Sequence, residues 1–279
     1  MKKTMIAILM LAVACLGADS DLGQVGNELM KPLVRVSDAG GTGSGTVVYS
    51  SDRGTPGQFR TFVLTNYHVI ADSVKVVKVW DSLTQSYRSE EQNEQVTVEL
   101  FSYLRGGKTV VSQPVKALVY CHRDAEDLAL LELDYPLQIE AVAPLLPRGT
   151  QLVLLQPVYA VGCSLGADPL VTRGEVTDLE EMIDRRPYVM ASANIIFGNS
   201  GGAIFTEAAG KRYLTGIPSR VVVTMGGQAV THMGYFIGPE RLWKFFDDQR
   251  VAFVLDASAT PAQADEVRKA AADSVGPEE

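Results

Sequence analysis

Apolar residues in this chain gather in short runs separated by glycine, proline, serine, asparagine and aspartate, and few of the runs carry a helical spacing. Runs of this length, rich in β-branched and aromatic residues and closed off by turn formers, predict strands. In the first half they fall at Leu33 to Val36, Gly45 to Tyr49, Phe62 to Thr65, Val74 to Trp80, Val96 to Phe101, Thr109 to Val111, Val115 to Tyr120 and Ala129 to Leu133. The second half continues with Leu152 to Leu155, Val158 to Val161, Gly174 to Thr177, Tyr188 to Ala191, Ala203 to Thr206, Tyr213 to Pro218 and Tyr235 to Ile237. Val74-Lys75-Val76 and Val96 to Leu100 alternate apolar with polar, which leaves one face of those strands wet. The polar, charged stretch Asp81 to Gln95 predicts a protruding hairpin tip or a flexible loop.

Helical spacing enters near the C-terminus. Leu242, Phe245 and Phe246 share one face at i, i+3, i+4, and Pro239 suits the first turn of that helix. Thr260 and Gln263 then stand at capping-box spacing ahead of an Ala-rich tail reaching about Val275. That tail has no broad apolar stripe, which predicts only a marginal helix. The pattern as a whole is all-β. It divides into a small N-terminal barrel over 31–143, a connector at Pro144 to Thr150, a C-terminal barrel plus helix over 151–248, and a tail over 249–279.

With 279 residues, 46% apolar and 21% charged, the chain is sized for one large all-β unit or two small ones. Met1-Lys2-Lys3 followed by the apolar run Met5 to Ala14 reads as a signal peptide over 1–18, too short to span a bilayer as a mature helix. Ala12-Val13-Ala14 is a small-x-small cleavage site, while Leu11 to Cys15 resembles a lipobox. Cys15 is therefore either a lipid anchor or part of a discarded leader, and the protein is expected to be exported, periplasmic or envelope-associated as a lipoprotein, otherwise secreted. Loss of Lys2 and Lys3 takes the formal charge from -8 to about -10. An acidic chain with no Lys/Arg run argues against nucleic acid as a partner. Cys121 and Cys163 are too few for a disulfide-built scaffold and read as two buried thiols, although an oxidising compartment permits one bridge. No CxxC or His/Cys cluster suggests a metal, and no cofactor is expected.

Three residues carry candidate chemistry. Ser200 lies in Gly198-Asn199-Ser200-Gly201-Gly202, His68 in Leu64-Thr65-Asn66-Tyr67-His68-Val69-Ile70, and Asp127 in Asp127-Leu128-Ala129-Leu130-Leu131. A serine hydroxyl needs a base within hydrogen-bond reach, and the base needs a carboxylate to fix its tautomer. Glycines around the serine leave room for a substrate carbonyl and allow a turn that aims N–H groups at one point, an oxyanion hole. Each of the three sits at a strand boundary, and their joint occurrence says far more than any one of them. His122, near Asp124 and Asp127, reads as a surface loop residue and His232 as a strand or turn residue. Asp124 lacks the Asp-Leu-Ala-Leu-Leu setting, and Cys163 has no paired base.

On these motifs the chain resembles the chymotrypsin-fold serine proteases, and within them the HtrA/Deg-type and related bacterial trypsin-like peptidases. Gly43 to Val48, Ala160 to Gly166 and Val171 to Val176 extend the match, in order, across about residues 33 to 248. The resemblance implies two six-stranded antiparallel β-barrels with a C-terminal α-helix, and a serine endopeptidase acting on protein or peptide substrates. It implies His68 as base, Asp127 as its orienting acid, Ser200 as nucleophile, and the N–H groups of Gly198 and Ser200 as the oxyanion hole. It places Ala193 to Ile196, with Asn194 at the pocket floor, and the strand Leu214 to Pro218, with Thr215, Gly216 and Ile217, near the substrate's P1 side chain, and the absence of an acid in either segment predicts a small or medium apolar P1 residue. Asn199 stands where trypsin-like zymogens carry an Asp that pairs with a new N-terminus, which argues against that activation. Only 31 residues follow Asp248, too few for a PDZ domain, so PDZ regulation is not expected. The alternative is a catalytically silent or chaperone-like binding module of the same fold.

Overall fold

The computed structural model of the protein describes residues 26, 28–52, 56–82, 85–103 and 109–274, so the leader expected at 1–18 and its Cys15 lie outside the described residues. The first half carries β1 (Leu33–Ser37), β2 (Thr42–Ser51), β3 (Arg60–Thr65), β4 (Val74–Asp81), β5 (Ser86–Asn93), β6 (Val96–Tyr103), β7 (Thr109–Arg123) and β8 (Leu128–Leu133). The second half carries β9 (Pro157–Gly162), β10 (Leu170–Ile183), β11 (Arg186–Ala191), β12 (Ala203–Ala208), β13 (Lys211–Val223) and β14 (Ala229–Ile237). Two helices follow, α1 (Pro239–Asp248) and α2 (Pro261–Ser274). Six strands close antiparallel in the order β1-β2-β3-β8-β7-β6, and six more form a second ring in the order β10-β11-β14-β13-β12-β9. β4 and β5 stand apart as a two-stranded sheet.

The continuous apolar runs have a direct physical reading, because period-2 alternation sends neighbouring residues to opposite faces and here both faces are buried. Val34, Val36, Val47, Val63, Ala129 and Leu131 fill the interior of the first barrel. Their neighbours Leu33, Val48, Phe62, Leu64, Leu128 and Leu130 point the other way, into a second core. The second ring sorts likewise, with Val158, Ala160, Val189, Ile204 and Phe236 inside and Val161, Tyr188, Phe205 and Ile237 in that same second core. The largest apolar cluster thus lies between the two rings, capped by Leu242, Phe245 and Phe246 of α1 and by Phe253. Each such side chain contributes roughly 1.5–3 kcal/mol on burial.

Several expected elements take a different form. The polar stretch Asp81 to Gln95 is mostly strand: β5 pairs with β4 from Val74↔Asn93 to Asp81↔Ser86. β5, Ser86 to Asn93, carries no apolar alternation to read, and Trp80 meets Tyr87 across the ribbon edge-on at 5.1 Å. Thr109 to Val111 and Val115 to Tyr120 are one strand running through Pro114. Pro114 pairs with Glu99 of β6, and β8 joins β7 only from Ala117, so the proline lies where one edge is free. Leu152 to Leu155 forms no strand; a turn closed by Gln156 N–H to Val153 O (3.2 Å) interrupts it. The tail is a formed helix, with its box made as spaced: Gln263 N–H donates to Thr260 Oγ1 (3.3 Å) and Thr260 N–H to Gln263 Oε1 (2.9 Å).

Candidate active site

β3 ends at Thr65, and the chain turns at once through a short 3-10 segment, Tyr67–Val69, that carries His68. β7 ends at Arg123 and the 3-10 turn Asp124–Glu126 delivers Asp127 in a left-handed conformation, φ 55°, ψ 40°. β3 and β8 are neighbours in the barrel, so these two turns meet. His68 Nδ1 lies 2.9 and 3.0 Å from the two Asp127 carboxylate oxygens, and the His68 main-chain N–H donates to Oδ1 at 3.0 Å. Ser219 Oγ, from β13 of the second ring, donates to Oδ2 at 2.7 Å. Burial pushes the Asp127 carboxyl up, but the donors from His68 and Ser219 outweigh it and hold the group below its ordinary value.

Ser200 comes from the loop between β11 and β12. His68 and Ser200 line one cleft of about 380 Å³, together with Ile195, Ile196, Phe197, Ser219, Arg220 and Val221. They share it without a direct hydrogen bond. The loop's conformation depends on glycine twice. At Gly201, φ is 83°, and a Cβ there would lie 2.1 Å from Ser44 O and 2.2 Å from Thr65 Oγ1. At Gly198, φ is 91° and a Cβ would lie 2.4 Å from Cys163 O.

The direction of the Gly198 N–H follows from its peptide plane. Phe197 O accepts from Leu165 N–H at 2.7 Å, and in a trans peptide the N–H points opposite to the carbonyl, away from Leu165. Among the described residues neither the Gly198 nor the Ser200 N–H is spent on an acceptor within the chain. Asn199 is buried, and its Oδ1 accepts from Ser164 Oγ (2.9 Å) and from Ile196 N–H (3.1 Å), so local donors occupy it.

Three supporting residues are not apparent in the sequence. Asn66 donates from Nδ2 to Asp127 O (2.8 Å) and accepts Gly201 N–H on Oδ1 (2.6 Å), joining the acid's turn to the serine's loop. Ser44 of β2 donates to Gly198 O (2.6 Å), accepts Cys163 N–H (2.7 Å) and gives its own N–H to Ser200 O (2.7 Å). Ser219 completes the shell around Asp127. Neither a lone Ser nor an Asn before a histidine carries a pattern that announces such a role.

The residues expected at the substrate occupy different settings. Thr215 and Ile217 are fully buried, Thr215 bonded to Thr206 Oγ1 at 2.7 Å, and a Cβ on Gly216 would lie 2.2 Å from the Phe236 ring. Gly216 pairs with Ile204 at the end of β12, Thr215 stands at the irregularity beside it, and Ile217 is the first residue beyond β12. From Ile217 onward β13 pairs with β14 alone, so Ser219 to Val221 border the cleft with one edge open. Asn194 is exposed but does not line that cleft; its main-chain oxygen accepts from Thr172 Oγ1 at 2.9 Å.

Of the competing groups, His122 is engaged by Glu91 (Nε2 to Oε1, 2.8 Å) and stacks on Tyr67, while His232 is exposed on β14. Asp124 borders a neighbouring opening that His68 and Asp127 also line, but the His68 ring is bonded to Asp127 and not to Asp124. Cys121 and Cys163 are buried, free thiols, each pushed up to about 12 by burial. The family model described as trypsin-like peptidase domain matches residues 43–217. No curated protein matches the chain.

Proposed function

The chain belongs to the trypsin-like peptidase domain family, and from that we propose that it is an exported serine endopeptidase working through His68, Asp127 and Ser200. The observation that carries this reading is the His68–Asp127 pair, ringed by donors and opening onto the cleft that also holds Ser200. His68 takes the proton of Ser200 Oγ as the oxygen attacks the scissile carbonyl. The tetrahedral oxyanion is met by the N–H groups of Gly198 and Ser200, and His68 then returns the proton to the leaving amine. Water, deprotonated by the same histidine, hydrolyses the acyl-enzyme. Asp127 stays ionised throughout, fixing the tautomer and stabilising the imidazolium.

An extended substrate adds a strand to the open edge at Ser219 to Val221. Its P1 side chain then meets Ile195, Ile196, Phe197 and Val221, which favours an apolar residue. Export rests on the expected leader, with Cys15 either lipidated or removed with it.

A fluorophosphonate probe tests the reading. It is expected to label the wild-type protein at Ser200, to leave Ser200→Ala unlabelled, and to react several orders of magnitude more slowly with His68→Ala, because the triad acts as a unit. A folded wild type that takes no Ser200-dependent label would leave the binding-module alternative in its place.

A further inference from the structure

Arg241 belongs to the first turn of α1, on the second half of the chain, and is buried to 7% exposure. Its Nε donates to Glu126 Oε2 at 2.9 Å, its Nη2 to the Glu126 main-chain oxygen at 2.8 Å, and its Nη1 to Pro187 O at 3.2 Å. The guanidinium also lies over the fully buried ring of Tyr188, 4.9 Å from the centroid. A rigid planar fork held on three sides in this way has a single orientation.

What it grips is the peptide group preceding Asp127. That residue is left-handed, a conformation that persists in a non-glycine residue only where the surroundings impose it. The carbonyls on both sides of its Cα are held from outside the turn: Glu126 O by Arg241, Asp127 O by Asn66 Nδ2 at 2.8 Å. With both peptide planes fixed, the Cα–Cβ direction of Asp127 is fixed as well, and it points the carboxylate at His68. One of the two restraints comes from the same barrel as Asp127, and the other reaches across from the C-terminal helix.

We propose that Arg241 is a positioning residue: it clamps the left-handed turn at Glu126 so that Asp127 is aimed at His68, making the docking of α1 a condition for an assembled triad. This rests on the peptidase reading above. A purely structural arginine would secure α1 and leave the chemical step alone, whereas a positioning role acts on kcat.

The test measures kcat and KM on a peptide substrate, together with thermal unfolding, for wild type, Arg241→Met, Arg241→Lys and Glu126→Ala. Arg241→Met is expected to keep KM within about twofold and to lose about 10- to 100-fold in kcat, the scale of a misplacement near 1 Å transmitted to the reacting groups. Arg241→Lys keeps the charge but lacks the planar fork that spans Glu126 and Pro187 over the Tyr188 ring, and should fall between the two. Combining Arg241→Met with Glu126→Ala should cost no more than Arg241→Met alone, since both act through one contact. A folded Arg241→Met with wild-type kcat overturns the proposal. If that variant does not fold, wild-type kcat in Arg241→Lys overturns it. Fluorophosphonate labelling separates the two readings: an unlabelled wild type removes the peptidase assignment, while a labelled wild type with an unimpaired Arg241→Met removes only the clamp.

Discussion

Asp127 concentrates the electrostatics of the site into one residue. Burial raises its carboxyl, yet donors from His68 and Ser219 bring it below its ordinary value. A carboxyl lower in the folded chain than in the unfolded one contributes stability that is present above the ordinary carboxylate range, near about 4, and is lost as pH falls through the folded value. The stability difference between wild type and Asp127→Asn should therefore be widest near neutrality and shrink as the pH falls below about 4, read by urea unfolding at each pH. A difference that stays constant between neutral and strongly acidic pH would mean that the bonds around the carboxylate carry no net stabilisation. His68, Asp127 and Ser200, the residues of the proposed triad, stand out in the sequence because that chemistry demands those side chains in recognisable settings. Ser219, Asn66 and Ser44 are not, because their roles arise from which strands lie side by side. The burial of Thr215 and Ile217 is equally hidden from the sequence: the motif gives the strand but not the point where β12 stops covering it.

At the scale of elements, the hydrophobic pattern predicted most strands correctly and failed where backbone ladders or polar contacts replace apolar packing. α2 illustrates this. It has no wide apolar stripe, and it is held instead by Asp265, which accepts from Tyr120 Oη (2.6 Å) and Arg60 Nη1 (2.7 Å), and by Arg268, which donates to Gln249 O and Tyr120 O. The β10–β11 hairpin is a second case. Ile183 pairs with Arg186 across a two-residue turn in which Asp184 and Arg185 both have positive φ, 51° and 62°. A turn of that hand favours glycine, above all at its second position, and Asp-Arg gives it little local signal. Arg185→Gly should relieve the left-handed strain at an exposed residue, offset in part by the greater freedom of the unfolded chain, for a net gain of about 0.5 kcal/mol. A small rise in the melting temperature would bear this out; a fall would show that the arginine side chain matters more to the hairpin than its backbone does.

Across the whole molecule, the two rings share their largest core, and the candidate site straddles them. His68 and Asp127 come from the first ring, Ser219 from a strand of the second and Ser200 from a loop between two of its strands, while Ser44 and Asn66 tie first-ring elements to the serine loop. A side chain such as Phe245, fully buried in the shared cluster, therefore stabilises both halves at once. Such sharing should make the rings unfold as one cooperative unit even though each closes on its own strands. The chain has two tryptophans, Trp80 on the outlying ribbon and Trp243 on α1, where its Nε1 donates to Leu146 O at 3.1 Å. In Trp80→Phe, fluorescence then reports the junction alone, while far-UV circular dichroism reports strands of both rings. The two denaturation curves should coincide, and Phe245→Ala in that background should move both to lower denaturant by the same amount, corresponding to about 3–5 kcal/mol. Two separated transitions, or a Phe245→Ala shift confined to the fluorescence curve, would show that the rings are stable independently and that the shared core only docks them.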